Sequence, residues 1–269
     1  MTEEKTESPP PEPKFQLITG VEDKPKKIVI HGSPAIGKSS FATEFPDPIV
    51  VQTEDAGGLI SAPRFPVCKT LKELIEQIDY IVSGEAGEYK TFVLDGLKFT
   101  ESLIADYVCP KLGINGLGDD ADYGNSPSFS EAMSLWYKLR DRLQNVLDAG
   151  MNVVMVSHST ERNVKDPRVS EYESTTLDLI KWGKYDPSKL FECWSDVVLY
   201  VAPKVFTKSD DTGIDGKRIT AMGTGERIIY TEKRPAFLAK NRFKMPPELP
   251  FEEGKGYAVI EQYLNTTQQ

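Results

Sequence analysis

The stretch Lys27-Ile28-Val29-Ile30-His31-Gly32-Ser33-Pro34-Ala35-Ile36-Gly37-Lys38-Ser39-Ser40 decides the fold. Its first half is a short β-branched run that ends in glycine, which predicts a strand. Its second half fits GxxxxGK[ST], and Ser39-Ser40-Phe41-Ala42-Thr43-Glu44-Phe45 follows with helical character. A phosphate loop needs this strand-to-helix context. The glycines let the backbone curl so that successive N–H groups point at the β- and γ-phosphates of a nucleotide, and the helix start adds partial positive charge. The predicted cradle is Gly32, Ser33, Pro34, Ala35, Ile36, Gly37, Lys38, Ser39 and Ser40. Lys38 would neutralise the γ-phosphate of ATP, and the Ser39 hydroxyl would face Mg²⁺.

Outward from this loop the pattern alternates. Asp47–Thr53 is a second strand, and Thr70–Ser83 sets Leu71, Leu74, Ile75, Ile78 and Ile81 at helical spacing. Thr91–Gly96 is a third strand. Glu131–Gly150 is a long amphipathic helix closed by a glycine, and Met151–Ser159 is a fourth strand. Apolar strands separated by helices predict an α/β fold, a mainly parallel sheet with helices on both faces. From about Asp196 the segments 195–207, 216–223, 226–233 and 236–242 predict antiparallel strands added at the sheet edge. Residues of about 110–130 and 159–188 are non-periodic and predict long loops, of a length that is functional or disordered.

The chain has 269 residues, enough for one large domain with a core of its own. Residues 1–25 hold Pro9, Pro10, Pro11 and Pro13 among polar residues and predict a disordered tail. The expected domain is 26–262, with 263–269 as a C-terminal tail. No apolar run approaches the roughly 20 residues that span a bilayer, and the acidic N-terminus does not resemble a signal peptide. Cys68, Cys109 and Cys193 lie far apart, which points to a reducing, cytoplasmic setting. Lys and Arg number 32 against 41 Asp and Glu, a net charge of −9, which excludes a strongly basic nucleic-acid binder but not a local basic channel.

Three further carboxylates bear on the chemistry. Asp95 ends the apolar run Phe92-Val93-Leu94, the position of a second Mg²⁺ holder beside a phosphate loop, or of a simple turn with Gly96. Glu54 follows the second strand, which in such sheets can lie beside the P-loop strand. There it would polarise the attacking water, unless it is a solvated turn carboxylate or Asp55 takes the role.

The motifs GSPAIGKSS, VVQTED, TFVLDG, VVMVSH and LAKNR occur in this order and resemble those of the RecA-like ATPases over about residues 27–245. Within that superfamily the chain is most similar to the phage-encoded minimal RecA-like, AAA-type nucleotide-binding proteins, some of which act as single-strand annealing proteins or recombinases. The resemblance implies a homo-oligomer, ring or filament, hydrolysing ATP with Mg²⁺ on single-stranded DNA. It further implies a single-strand-binding protein as a partner and the cytoplasm as the setting, that of the host if phage-encoded. It implies that Glu54 activates water, that His158 senses the γ-phosphate, and that Lys240 and Arg242 enter a neighbour's ATP site. By residue chemistry alone His158 could be a surface histidine, and Lys240 and Arg242 a solvated pair on one face of an edge strand.

Residues 159–188 interleave Arg162, Lys165, Arg168, Lys181 and Lys184 with Tyr172, Trp182 and Tyr185, as single-strand binding requires. Six acidic residues in the same stretch leave a packed structural insertion equally open. Trp136 and Trp194 are expected in the core. Two other readings stand beside the DNA-dependent ATPase: a P-loop small-molecule kinase, and a slowly hydrolysing DNA loader.

Overall fold

A computed structural model describes residues 17, 19–20, 22–55, 58, 60–122, 124–165, 167, 170–211 and 217–265, with the backbone alone for 206–211 and 217–224. Most of the expected tail at 1–25, and Arg168, lie outside the described residues. In chain order the elements are β1 (Lys27–Gly32), α1 (Lys38–Ala42), β2 (Pro48–Gln52), α2 (Leu71–Val82), β3 (Thr91–Asp95), α3 (Leu97–Leu112), α4 (Pro127–Asp148), β4 (Asn152–Val164), β5 (Tyr172–Leu177), α5 (Pro187–Trp194), β6 (Val197–Asp211), β7 (Lys217–Tyr230), β8 (Lys240–Asn241), β9 (Glu248–Phe251) and α6 (Gly256–Leu264). The last helix runs to Leu264, so the folded part passes the expected end at 262.

The sheet order is β2-β3-β4-β1-β6-β7-β9, with β5 paired to β4 and β8 to β6. The first five strands are parallel, and β7, β8 and β9 are antiparallel. This is the RecA-like α/β arrangement, in which one strand is inserted between the P-loop strand and the strand ending in Asp95. Both faces are covered. Leu74, Ile78, Ile104, Trp136, Leu139 and Leu143 fill one side, and Phe41, Phe45, Ile260 and Leu264 the other.

Several expectations are corrected. β2 does not lie beside the P-loop strand; β3 and β4 stand between them. Residues from Val197 begin not as an edge antiparallel strand but as a parallel strand directly beside β1, with Val197 opposite Ile28 and Val201 opposite Gly32. Residues 159–188 are not one long loop. β4 continues to Val164 and forms an antiparallel hairpin with β5, Ser159 opposite Leu177 and Val164 opposite Tyr172. Residues 110–112 close α3, and 127–130 open α4 under the Ser126 cap. Trp136 is fully buried and Trp194 packs against the same core.

Candidate active site

The C-terminal ends of the parallel strands carry the site, as the strand-end rule for open α/β sheets requires. The P-loop leaves β1 at Gly32 and turns through two left-handed positions, Ala35 (φ 59°) and Gly37 (φ 102°). At Gly37 the left-handed φ favours glycine, and a Cβ there would also crowd Arg227 Nη1 at 3.1 Å and the Phe251 ring at 3.2 Å. α1 then places Lys38 and Ser39 in its first turn.

Lys38 is buried, and its Nζ donates to the Ser33 carbonyl at 2.8 Å and lies 3.5 Å from His158 Nδ1. Burial pushes its pKa below the usual lysine range, against the pull of Asp95 and Glu54. The Ser39 hydroxyl donates to Asp95 Oδ1 at 3.1 Å. Asp95 is only 3% exposed, and burial raises its pKa above the ordinary carboxylate range. A hydroxyl and a buried carboxylate within hydrogen-bonding distance form a hard-oxygen donor pair, and that chemistry suits Mg²⁺. Ser39 and Asp95 would hold the ion, which would supply charge neutralisation at the phosphates.

Glu54 closes the constellation. Its Oε2 lies 3.2 Å from His158 Nε2. With Nδ1 turned to the Lys38 ammonium, the imidazole donates through Nε2 to Glu54. Glu54 lines the cavity above the P-loop while Asp55 does not. The carboxylate accepts one hydrogen bond and keeps lone pairs for a water proton.

The cavity has a volume of about 650 Å³, and it brings together Ala35, Gly37, Lys38, Ser39, Ser40, Glu54, Asp95 and His158. Arg227 and Glu44 also line it, and sequence reasoning missed both. Arg227 is 191 residues from the P-loop carbonyl it binds, and no local pattern joins them.

The remaining predicted residues lie elsewhere. Arg162, Lys165 and Lys181 line a second cavity of about 700 Å³ with Lys189, Lys233 and Arg234, opposed by Asp186 and Glu192. Tyr172 lines it too, whereas Tyr185 is buried and Trp182 stacks on Phe129 at 5.1 Å, so these two rings belong to the core. Lys184 is exposed and lies outside the cavity lining. Lys240 and Arg242 are at the opposite end of the sheet from the P-loop. Lys240 Nζ donates to the carbonyls of Glu192, Cys193 and Ser195 at the end of α5, and Arg242 pairs with Asp196 at 3.0 Å.

A P-loop, a Ser39 hydroxyl bonded to the buried Asp95 and a Glu54–His158 pair on a RecA-like sheet define a nucleotide-binding P-loop ATPase. The family model described as "AAA domain" matches residues 24–243, and the chain belongs to that family. No curated protein matches the sequence. Among solved structures the chain is similar to a KaiC-like protein of the hyperthermophilic archaeon Pyrococcus horikoshii, at 12% identity and a TM-score of 0.41, over 85% of this chain and 86% of that one. Among the described residues no helix is long and apolar enough to cross a membrane.

Proposed function

We propose that this chain is an Mg²⁺-dependent ATPase that works on single-stranded DNA in recombination or annealing of the phage type, in a homo-oligomer. The observation that carries the reading is the course of β4. One continuous strand bears His158 in the nucleotide cavity and Arg162 in the second cavity. The two residues are four positions apart, roughly 13 Å along an extended chain. Six cations against two carboxylates line that second cavity in a chain of net charge −9. A cleft of this sign suits the phosphates of a strand, and Tyr172 offers a ring to a base.

Assembly completes the reading. Arg242 is level with Asp196, five residues before Val201 beside the P-loop, roughly 17 Å away along the strand. It cannot serve its own nucleotide. Its side chain is 54% exposed, which supports a role towards a neighbour's site, while Lys240 anchors the segment to α5. The test is phosphate release with and without single-stranded DNA, beside mass measurement in ATP. Stimulation by DNA that fades as salt rises, in an assembly larger than a monomer, is the expected result. Hydrolysis indifferent to DNA in a monomer would remove the reading.

A further inference from the structure

The lining of the nucleotide cavity extends beyond the residues assigned so far, past Ser39 and Ser40 to Thr43 and Glu44 and to Gly254, whose N–H is bonded to Glu44. Ile60, Arg227 and Glu253 also line it. Glu44 and Glu253 set two negative charges there against a phosphate, while an uncharged nucleoside meets no such repulsion.

Arg227 is held there on two sides. Its Nη1 donates to the Ile36 carbonyl at 3.0 Å, and its guanidinium carbon lies 4.9 Å from the centroid of the Phe251 ring. Arg227 lines the cavity and Phe251 does not, so the guanidinium stands between the ring and the open space. A guanidinium is planar with five N–H donors, of which Ile36 takes one.

The wall is braced from below. Both Glu44 oxygens are engaged, one accepting from Gly254 N at 2.7 Å and the other from Tyr257 N at 2.9 Å. Phe251 also packs on Phe41 of α1, with ring centroids 5.3 Å apart. The turn before α6 is thereby docked onto the helix that follows the P-loop.

We propose that this part of the cavity is the nucleoside subsite, and that Arg227 takes the base on its free planar face to complete a Phe251–Arg227–base stack. The proposal rests on the ATPase reading above. The test is calorimetric titration of the full chain with Mg²⁺·ATP and with Mg²⁺·tripolyphosphate, for the wild type, Arg227→Ala and Arg227→Lys. A lysine can still donate to Ile36 and keeps the charge, but it has no plane to stack. Both variants should lose about tenfold in ATP affinity, the scale of a lost planar stack on a base. Both should bind tripolyphosphate as the wild type does. Should Arg227→Ala fail to fold, as a thermal melt would show, Arg227→Lys decides alone. An equal loss for both ligands would make Arg227 a phosphate or P-loop support and overturn the subsite, and so would unchanged ATP binding. Wild-type protein that binds neither ligand would instead take down the ATPase reading and this one with it.

Discussion

His158 and Glu54 meet 3.2 Å apart across the end of a strand that separates their own. β3 stops at Asp95, and Gly96 (φ 110°) turns away beneath them. A Cβ on Gly96 would lie 2.6 Å from Thr53 Oγ1 and 3.2 Å from Glu54 Cβ. The glycine after Asp95 therefore leaves the room in which Thr53 and Glu54 pass towards the histidine.

Glu54→Gln should bind ATP nearly as the wild type does and hydrolyse it at least about a hundredfold more slowly, the scale of a lost general base. His158→Ala should give a smaller loss, because it frees Glu54 to turn away without removing the base. The double variant should be no worse than Glu54→Gln alone, since the two groups act as one unit. Single-turnover phosphate release checks all three, and additive losses would separate the roles.

Asp95→Asn should separate stability from activity. Burial raises the Asp95 pKa, so the folded chain holds this proton more tightly than the unfolded chain does. The resulting penalty grows as pH rises from the ordinary carboxylate range through the raised value, and above that it is fully present. The amide removes the charge, so nucleotide-free protein near pH 7 should melt at a higher temperature than the wild type. Mg²⁺-dependent hydrolysis should fall by roughly a hundredfold or more, since metal polarisation supplies several kcal/mol. A lower melting temperature would show that the carboxylate is a structural anchor.

Arg242→Ala and Glu54→Gln, mixed, should recover activity that neither has alone. A mixed interface pairs an intact Glu54 from one subunit with an intact Arg242 from its neighbour. The Asp196 ion pair is exposed on the arginine side, so its loss should cost little stability, up to about 1 kcal/mol. Steady-state phosphate release over a range of mixing ratios checks this. No recovery at any ratio, with a rate per protomer independent of concentration, would confine Arg242 to its pairing with Asp196.

The P-loop, Asp95 and the helix over 71–82 were legible because their signals are local. GxxxxGK[ST] carries its own geometry, and Leu71, Leu74 and Ile78 repeat at the helical period. α3 was not legible. It buries Thr100 and Glu101 beside Leu103 and Ile104 and holds Pro110, so its polarity does not alternate with its exposure. Glu101 is satisfied by Ile180 N and the Tyr185 hydroxyl, partners no local pattern reveals. The hairpin of β4 and β5 looked like a loop because its residues beyond Ser157 are half-exposed and polar. Strand order was beyond the sequence as well. Glu54 reaches the site over β3 and not from a strand beside β1, and Arg227 arrives from a distant one.

His31 supplies a pH-dependent component of stability. It lies inside β1, one residue before the P-loop, with no exposed surface. Its Nε2 donates to the Leu238 carbonyl at 2.8 Å, so Nδ1 accepts from the Ser159 hydroxyl at 2.9 Å. Burial lowers its pKa from 6.5 to about 4, with the nearby Lys38 charge adding to the effect. The unfolded chain binds this proton below about 6.5 and the folded chain does not until about 4. Stability should therefore be intact above pH 6.5 and fall as pH drops towards 4, by about 3 kcal/mol for the shift in full. Asparagine at this position keeps a polar side chain but does not titrate. His31→Asn should be less stable than the wild type at pH 7, through the lost ring packing against Tyr200, and should show a shallower decline between pH 6.5 and 4. Urea unfolding at a series of pH values measures both slopes. Identical slopes for the two proteins would mean that another group carries the acid sensitivity and that His31 titrates alike in the folded and unfolded chain.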